Sequence, residues 1–375
     1  MKNIIKTLYT LAAMVLLAPI FTTAAVGDSG VIVKPNGAKK FAVMPEGATH
    51  PEGITINPSN GEVIVGTFAA GGSTIDLVRF SSEGDVIASA TILNAILLGI
   101  AYNPDDGKIY LCNASDLGGN PDSRIQRIDA DFTDATSVVD IAVVPFIGPP
   151  ADLIVGNPDG SSDTIEFGVN GRAPNDLTFD TNGDLYFSDS FQGAVFRIAD
   201  PASNCPGGGC GVPDTVAHHG LLATTGFPPF GANGVAIRGD TLFVANTGDD
   251  TVMTIDLTQS FPIDPVILAQ SINGADGIIY DSYNDLLWVA ANQADQVVAI
   301  DPDTGRVMAE IGEFLGIKSD GSARGLLFPA SLAEVANGKI LVTNLAVPLT
   351  GAAGDEPEED ITKYTVSRIN IPEFD

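Results

Sequence analysis

The chain has 375 residues, of which 45% are hydrophobic and 17% charged, and it contains 41 glycines and 24 prolines. Its formal net charge of −29 argues against a nucleic-acid partner and against an anionic membrane surface, because phosphate contacts require lysine and arginine. The acidic surface is explained either by solubility alone or by a field that helps to retain a hard cation such as Ca²⁺. The length and the glycine and proline content favour one large all-β domain with many turns.

The N-terminus has the pattern of a signal peptide. MKNIIK is a positive region, TLYTLAAMVLLAPIF is an apolar stretch, and TTAA supplies small residues for cleavage near Ala25. The sequence therefore predicts a signal peptide over residues 1–25 and a single exported domain over residues 26–375, secreted or periplasmic. Pro19 interrupts the apolar stretch, which is short for a bilayer span, and no later stretch is long enough, so no membrane span is expected after cleavage.

A strand–turn–strand pattern recurs six times along the chain. Apolar and polar residues alternate on both sides of each turn, which is typical of half-buried strands, and NG, DG or GD marks most reversals. The six segments are PEGITINPSNGEVIVGT from Pro51, LLGIAYNPDDGKIYLCN from Leu97, PNDLTFDTNGDLYFSDS from Pro174, ANGVAIRGDTLFVANT from Ala232, ADGIIYDSYNDLLWVAAN from Ala275 and PASLAEVANGKILVTN from Pro329.

Each segment is followed by a third strand, so most repeats span roughly 40–55 residues and about four strands, the size of a propeller blade. The sequence predicts an all-β, six-bladed β-propeller. One longer interval contains a Gly-, Pro- and Asp-rich insertion, about residues 146–172, expected to be a loop over one face. The last strand, near residues 363–371, is expected to pair with the segment around residues 31–43 and to close the ring.

The three cysteines have different surroundings. Cys205 and Cys210 enclose the loop CPGGGC, where an oxidising compartment would permit a short disulfide. Cys112 lies in the strand KIYLCNA and is expected to be a buried apolar side chain.

The second residue of each repeat, called here the head position, carries a possible oxygen ligand in four blades. The innermost strands of a propeller line its axis, so these positions converge. Taken singly, Asn and Asp at such positions are common turn residues. Together, two carboxylates and two amides suit a Ca²⁺ site of 6–8 oxygens. The six head residues are Glu52, Leu98, Asn175, Asn233, Asp276 and Ala330.

The segments HPEG, PNDLTFDTNGDLYFSD, ANGVAI with DTLFVANT, and ADGIIYD with DLLWVA resemble the senescence-marker-protein/gluconolactonase family, also called regucalcin-like. The resemblance covers roughly Pro51 to Asn344. It implies a six-bladed propeller with a divalent metal at the bottom of a central cavity, and activity on lactones or, in some members, phosphotriesters and related esters. The implied metal ligands are Glu52, Asn175, Asn233 and Asp276.

The resemblance also suggests roles for individual residues. Asp276 is the candidate general base, or the carboxylate that positions the nucleophile, while it ligates the metal. Asp176 either supports the loop or touches substrate. Members that act on sugar acids often carry Arg where this chain has Ala173, and the adjacent Arg172 is the candidate replacement. His50 precedes the Glu52 motif and is a candidate proton shuttle at the cavity rim.

Three functional hypotheses follow. The first is an exported, monomeric, metal-dependent hydrolase that opens a small-molecule lactone or related ester with Ca²⁺ as Lewis acid. The second is a non-catalytic propeller scaffold that binds a partner or glycan, since propellers host many functions. The third is a structural Ca²⁺ that stabilises the ring without catalysis.

Overall fold

Strands dominate the computed structural model, which describes residues 30–68, 72–119, 122–335, 338–350 and 352–374. The predicted signal peptide lies outside these residues. Residues Val31–Phe374 form one compact unit. Six sheets, called blades 1–6 here, each contain four consecutively paired antiparallel strands, and blade 5 gains a fifth strand at its outer edge. The prediction of an all-β, six-bladed propeller is confirmed.

The strand bounds, from the innermost strand outward, follow the order of the blades along the chain. Blade 1 comprises Pro51–Asn57, Glu62–Thr67, Leu77–Phe80 and Val86–Ala90; blade 2 comprises Leu97–Asn103, Lys108–Asn113, Arg124–Asp129 and Val139–Val143; blade 3 comprises Pro174–Phe179, Leu185–Asp189, Ala194–Ile198 and Asp214–His218. Blade 4 comprises Ala232–Arg238, Thr241–Asn246, Thr251–Asp256 and Val266–Gln270; blade 5 comprises Ala275–Asp281, Leu286–Ala291, Gln296–Ile300, Val307–Ile311 and Ile32–Lys34; blade 6 comprises Pro329–Val335, Lys339–Asn344, Thr365–Asn370 and Ala38–Val43.

Two hairpins and several short helical turns lie outside the six blades. Two extra hairpins pair Leu153–Gly156 with Ser162–Ile165, and Phe314–Ile317 with Ala323–Gly325. The helical turns of the described residues are the α-helix Pro201–Asn204 and the 3₁₀ turns Pro35–Gly37, Ser115–Gly118, Gly220–Leu222, Asn292–Ala294 and Pro357–Asp360. Among the described residues, no helix has the length and apolarity that a bilayer crossing requires.

Blade 6 closes the ring with strands from both ends of the chain. Ala38–Val43 pairs antiparallel with Thr365–Asn370, which confirms the predicted closure. The earlier part of the predicted segment behaves differently, because Ile32–Lys34 pairs in parallel with Val307–Ile311 of blade 5. The 3₁₀ turn Pro35–Gly37 separates the two strands, since proline fixes φ and removes an N–H that a continuous strand would donate.

The cores lie between neighbouring blades, where the apolar faces of two sheets meet. Trp288 of blade 5 is fully buried against Leu332 and Val342 of blade 6, and equivalent clusters fill the other interfaces. Burial of one such large side chain contributes roughly 1.5–3 kcal/mol. The indole N–H of Trp288 donates to Asp281 Oδ2 over 3.3 Å. Because each blade packs one of its faces against the preceding blade and the other against the following blade, the innermost strands are held around the axis.

Each innermost strand contains a register shift at its head position. In blade 1 the pairing jumps from Pro51 to Ile54, and the other five blades shift at the equivalent place. Such a bulge leaves two residues unpaired and re-aims the first of them. The second is glycine in four blades, because neighbouring bulges touch: a Cβ on Gly277 would lie 2.6 Å from the carbonyl oxygen of Ala330.

The loop CPGGGC contains a disulfide between Cys205 and Cys210, with a Cα–Cα distance of 5.3 Å. The backbone N–H of Cys210 donates to the carbonyl of Ile141 over 2.8 Å, so this blade 3 loop extends the outer edge of blade 2. Cys112 is buried, as its strand predicts. The segment between blades 2 and 3 is attached to blade 3, because the N–H groups of Ile147 and Gly148 donate to the side-chain oxygen of Gln192.

Candidate functional site

The four oxygen-bearing head residues meet in one cavity on the propeller axis. Glu52, Asn175, Asn233 and Asp276 line it together, and the cavity has a volume of about 70 Å³. The bulges described above bring these side chains together, because each bulge turns its head residue out of the strand pairing and toward the axis. Of the two apolar heads, Leu98 also lines the cavity.

Three of the four head residues at this cavity have a buried oxygen with no hydrogen-bond partner among the described residues: Glu52 Oε2, Asn175 Oδ1 and Asp276 Oδ1. Glu52 and Asp276 are each only 4% exposed. Buried carboxylate oxygens without partners are costly, and natural proteins rarely leave them so. Two carboxylates and two neutral amides are the chemistry of a hard-cation site, so the residues present fit a divalent metal such as Ca²⁺.

A second layer of polar side chains holds the head residues of blades 3, 4 and 5 in place. It comes from the residue that follows the second strand of blades 3, 4 and 5. Asn175 Nδ2 donates to Ser190 Oγ over 2.8 Å, and Asn233 Nδ2 donates to Thr247 Oγ1 over 2.8 Å. With its N–H group engaged in this way, the Asn175 amide keeps its oxygen for the cavity.

Asn292 completes this layer, and the sequence interpretation did not single it out. Asn292 Nδ2 donates to Asp276 Oδ2 over 3.1 Å, and Asn292 Oδ1 is itself buried without a partner at the cavity. The sequence feature that could have identified Asn292 is the run of small and polar residues that ends the second strand, SDS, ANT and AAN in blades 3, 4 and 5. These endings face the head residues of their own blades.

The site concentrates negative charge. Burial, followed by repulsion from Asp276 and Asp176, raises the pKa of Glu52 well above its ordinary value. Burial likewise raises the pKa of Asp276 to about 7; repulsion from Asp176 adds to this, and the hydrogen bonds from Asn292 and Asn233 oppose it. A bound dication would reverse this effect by favouring the ionised carboxylates.

Asp176 lies on the other side of the head layer from the cavity. It takes the second bulge position, which is glycine in blades 1, 2, 4 and 5, and it lines the channel toward the opposite face. Its Oδ2 accepts a hydrogen bond from the N–H of Val235 over 3.0 Å, and burial raises its pKa to about 7. Asp176 therefore bridges blades 3 and 4 and adds negative charge beneath the site.

Arg172 and His50 hold loops near the site and are not among the residues that line the cavity. Arg172 Nε contacts Asp116 Oδ2 at 2.9 Å, and Nη1 donates to the carbonyl of Val144. His50 Nδ1 lies 3.0 Å from the carbonyl oxygen of Leu345, and its Nε2 lies 3.1 Å from the hydroxyl of Tyr364. Substrate contact by Arg172, His50 or Asp176 stays a prediction.

No group of three or more His, Cys, Asp or Glu side chains suited to a metal occurs in the part of the chain that the structure describes. Metal binding at the cavity would therefore depend on the asparagine amides as much as on the two carboxylates. The assignment of Glu52, Asn175, Asn233 and Asp276 as ligands remains a prediction that this geometry accommodates.

Comparison with known proteins relates the chain to others through its fold. No family model and no curated protein matches the sequence. Among solved structures, a calcium-binding regucalcin from Agrobacterium tumefaciens is 13% identical, with a TM-score of 0.55 over 91% of this chain and 96% of that one. A gluconolactonase from Xanthomonas campestris is 16% identical, with a TM-score of 0.51 over 87% of each chain.

A third similar structure belongs to an enzyme of a different class. The PQQ-bound aldose sugar dehydrogenase from Streptomyces coelicolor is 15% identical, with a TM-score of 0.54 over 90% of this chain and 99% of that one. The chain thus shares its propeller fold with regucalcin and gluconolactonase structures and with an oxidoreductase. Fold alone does not select among these activities, so the function has to be inferred from the residues of the site.

Proposed function

We propose that the protein is a metal-dependent hydrolase that opens a lactone or cleaves a related ester, with Ca²⁺ as the preferred cation. One observation carries the proposal: the oxygen-bearing head residues of four blades line one cavity, and three of them present buried oxygens without partners among the described residues. A scaffold propeller has no physical reason to gather Glu52, Asn175, Asn233 and Asp276 there. The shared fold with gluconolactonase structures is consistent with this activity.

Glu52, Asn175, Asn233 and Asp276 would hold the ion. When bound, the ion supplies Lewis-acid chemistry, which polarises a carbonyl and stabilises negative charge on its oxygen. Glu52 would anchor the cation by its charge, whereas the two neutral amides would bind it without cancelling its charge and so would leave positive charge for the substrate. Asp276, held at Oδ2 by Asn292, orients the attacking water and accepts its proton. The water oxygen bonds to the carbonyl carbon, the bond from that carbon to the ester oxygen breaks, and the proton passes to the departing alcohol oxygen.

The test combines metal binding with hydrolysis. Calcium binding is measured by titration calorimetry, and acid release from a panel of lactones and esters is followed in a pH-stat with chelator, with Ca²⁺ and with NaCl. We expect hydrolysis to stop with chelator and to return with Ca²⁺ alone. Asn233→Ala should weaken both calcium binding and hydrolysis. Asn182→Ala, at an exposed turn of blade 3, should change neither calcium binding nor hydrolysis. Unchanged binding and turnover in Asn233→Ala would refute the proposal.

A second variant separates catalysis from a structural role of the metal. Asp276→Asn keeps an oxygen ligand but removes the charge and the proton acceptor. Under the proposal, this variant should lose turnover while the Ca²⁺-saturated protein remains folded. Ca²⁺-dependent thermal stability with no hydrolysis of any lactone or ester by the wild type would favour the structural-metal hypothesis.

Export to an oxidising compartment is part of the proposal. The Cys205–Cys210 disulfide supports it, because disulfides persist mainly outside the reducing cytosol. Cell fractionation, with the N-terminal sequence of the isolated protein, tests the compartment and the cleavage near Ala25 together. Size-exclusion chromatography with light scattering tests the expected monomer.

A further inference from the structure

The cavity has an oxygen-rich floor and an apolar wall. The floor comprises Glu52, Asn175, Asn233, Asp276 and Asn292. The wall, as the term is used below, is the set Phe68, Leu98, Pro228, Phe230, Phe328, Leu345, Val347 and Leu349. No lysine, arginine or histidine of the described residues lines the cavity.

Part of the wall is a small cluster above blades 1 and 6. The buried members of the cluster are Phe328, Ala330 and Leu345, and Phe68, Val347 and Leu349 pack against them while only partly buried. Apolar side chains that are half covered at the mouth of a cavity still have surface to bury. An alkyl or aryl group placed there would gain about 0.8 kcal/mol for each methylene removed from water.

The wall is held rigidly on both sides of the mouth. Phe328 has a left-handed φ of 44°, which is unusual for a bulky residue. Its N–H donates to Asp295 Oδ1 over 2.8 Å, and its carbonyl accepts from the N–H of Leu345 over 3.0 Å. On another part of the wall, Phe230 packs against Phe191 with ring centroids 5.5 Å apart. Backbone strain that the surroundings maintain is common at binding sites, and a pre-formed wall lowers the ordering cost of binding.

The hydroxyl groups next to the floor, those of Ser190 and Thr247, already have partners within the protein. Thr247 Oγ1 donates to the carbonyl of Ala275 and accepts from Asn233. Arg172, the candidate for recognising a sugar acid, is paired with Asp116 outside the cavity. The hydroxyls of a sugar lactone would leave water and meet this apolar wall, and each buried hydroxyl without a partner costs about 1–3 kcal/mol.

From these observations we infer that the substrate is a lactone or ester with an apolar alkyl or aryl substituent, and that the wall, through Phe230, Phe328 and Leu349, selects it against polyhydroxylated sugar lactones. The inference builds on the proposed function for the reaction at the floor. The carbonyl group would face the floor oxygens and the substituent would lie against the wall.

The test measures binding and turnover separately. Ca²⁺-supplemented full-length protein is titrated in a calorimeter with hydrolysis-resistant lactams: δ-valerolactam, its 6-propyl and 6-pentyl derivatives, and glucono-δ-lactam. We expect about 4-fold tighter binding per added methylene along the alkyl series, and weaker binding of the glucono-lactam than of any alkyl member. Leu349→Asn, nearly isosteric, should abolish the chain-length dependence. The matched control is Leu93→Asn, at a leucine that is 87% exposed and away from the cavity, and it should preserve this dependence.

Each outcome bears on one of the two proposals. Tighter binding of the glucono-lactam than of the alkyl lactams, or no binding of any lactam, overturns the inference. A chain-length dependence that survives in Leu349→Asn with native thermal stability overturns the role of the wall. The corresponding lactones, followed in a pH-stat, test the reaction: binding of alkyl lactams without opening of any lactone refutes the hydrolase while the ligand class stands.

Discussion

The Asn292 amide donates a hydrogen bond to Asp276 Oδ2 over 3.1 Å, which leaves Asp276 Oδ1 as the oxygen without a partner at the cavity. The bond joins the residue after the second strand of blade 5 to the head of its first strand. It orients the carboxylate assigned here as metal ligand and proton acceptor. Such supporting partners commonly determine affinity as much as the ligands themselves.

Asn292→Ala should weaken Ca²⁺ binding about 10-fold, because Asp276 loses the donor that orients it. Calorimetric titration of both proteins measures the change. Asn284→Ala is the matched control, since it removes a similar bond, from Asn284 Nδ2 to Asp281 Oδ2 at 2.6 Å, in a turn of the same blade. Equal Ca²⁺ affinity in wild type and Asn292→Ala would contradict the assignment.

Asp295→Asn should change the pH dependence of stability. Burial raises the pKa of Asp295 to about 6 from its ordinary 3.8, although the hydrogen bond from the N–H of Phe328 opposes the shift. Because the folded pKa is raised, this carboxyl's contribution to stability is complete below about pH 4 and is lost as the pH rises through about 6. Asparagine has no such charge and tolerates the φ of 54° at this position.

The free energy of unfolding of Asp295→Asn, relative to wild type, should therefore rise between pH 4 and pH 8 by on the order of 2 kcal/mol. Urea unfolding at both pH values measures it. A difference between the two proteins that is the same at both pH values would show that the buried charge is not its cause.

Gly53→Ala should destabilise the ring, because the added Cβ would overlap the carbonyl oxygen of Leu98 and lie 2.9 Å from the N–H nitrogen of Ile100. Backbone atoms of two adjacent inner strands cannot yield easily, so we expect a loss of more than about 2 kcal/mol in urea unfolding. Gly207→Ala, with no atom within 4 Å of the new Cβ, should stay within about 0.5 kcal/mol of wild type. Similar stabilities for the two variants would be evidence against tight contact between the bulges.

Replacing Cys205 and Cys210 together by serine should lower the free energy of unfolding by about 2 kcal/mol, the chain-entropy value for so short a loop. Dithiothreitol should lower the stability of wild type by a similar amount and leave the double variant unchanged. Thiol titration of denatured, unreduced protein should detect one free thiol, that of Cys112. Three free thiols would show that the disulfide is absent.

The blade pattern was predictable from sequence because strand alternation and turn residues are local signals. Glu52, Asn175, Asn233 and Asp276 could be placed together because equivalent positions of a propeller share an axis. The direction of Asp176 could not be foreseen, since it depends on a bulge that sends adjacent residues to opposite sides of the head layer. Arg172 and His50 lie in loops, whose paths depend on distant partners such as Asp116 and Tyr364.

Because Ala38–Val43 pairs with Thr365–Asn370, this early strand has no partner in its own blade until the much later strand has been synthesised. Until the C-terminal residues are available, Lys339–Asn344 presents an unpaired sheet edge, and the ring remains an open arc. Folding to the native state then includes an encounter between the two ends of the chain, which is slow because the contact is so distant in sequence. A protease cut that removes the last strand would return the finished protein to that open arc.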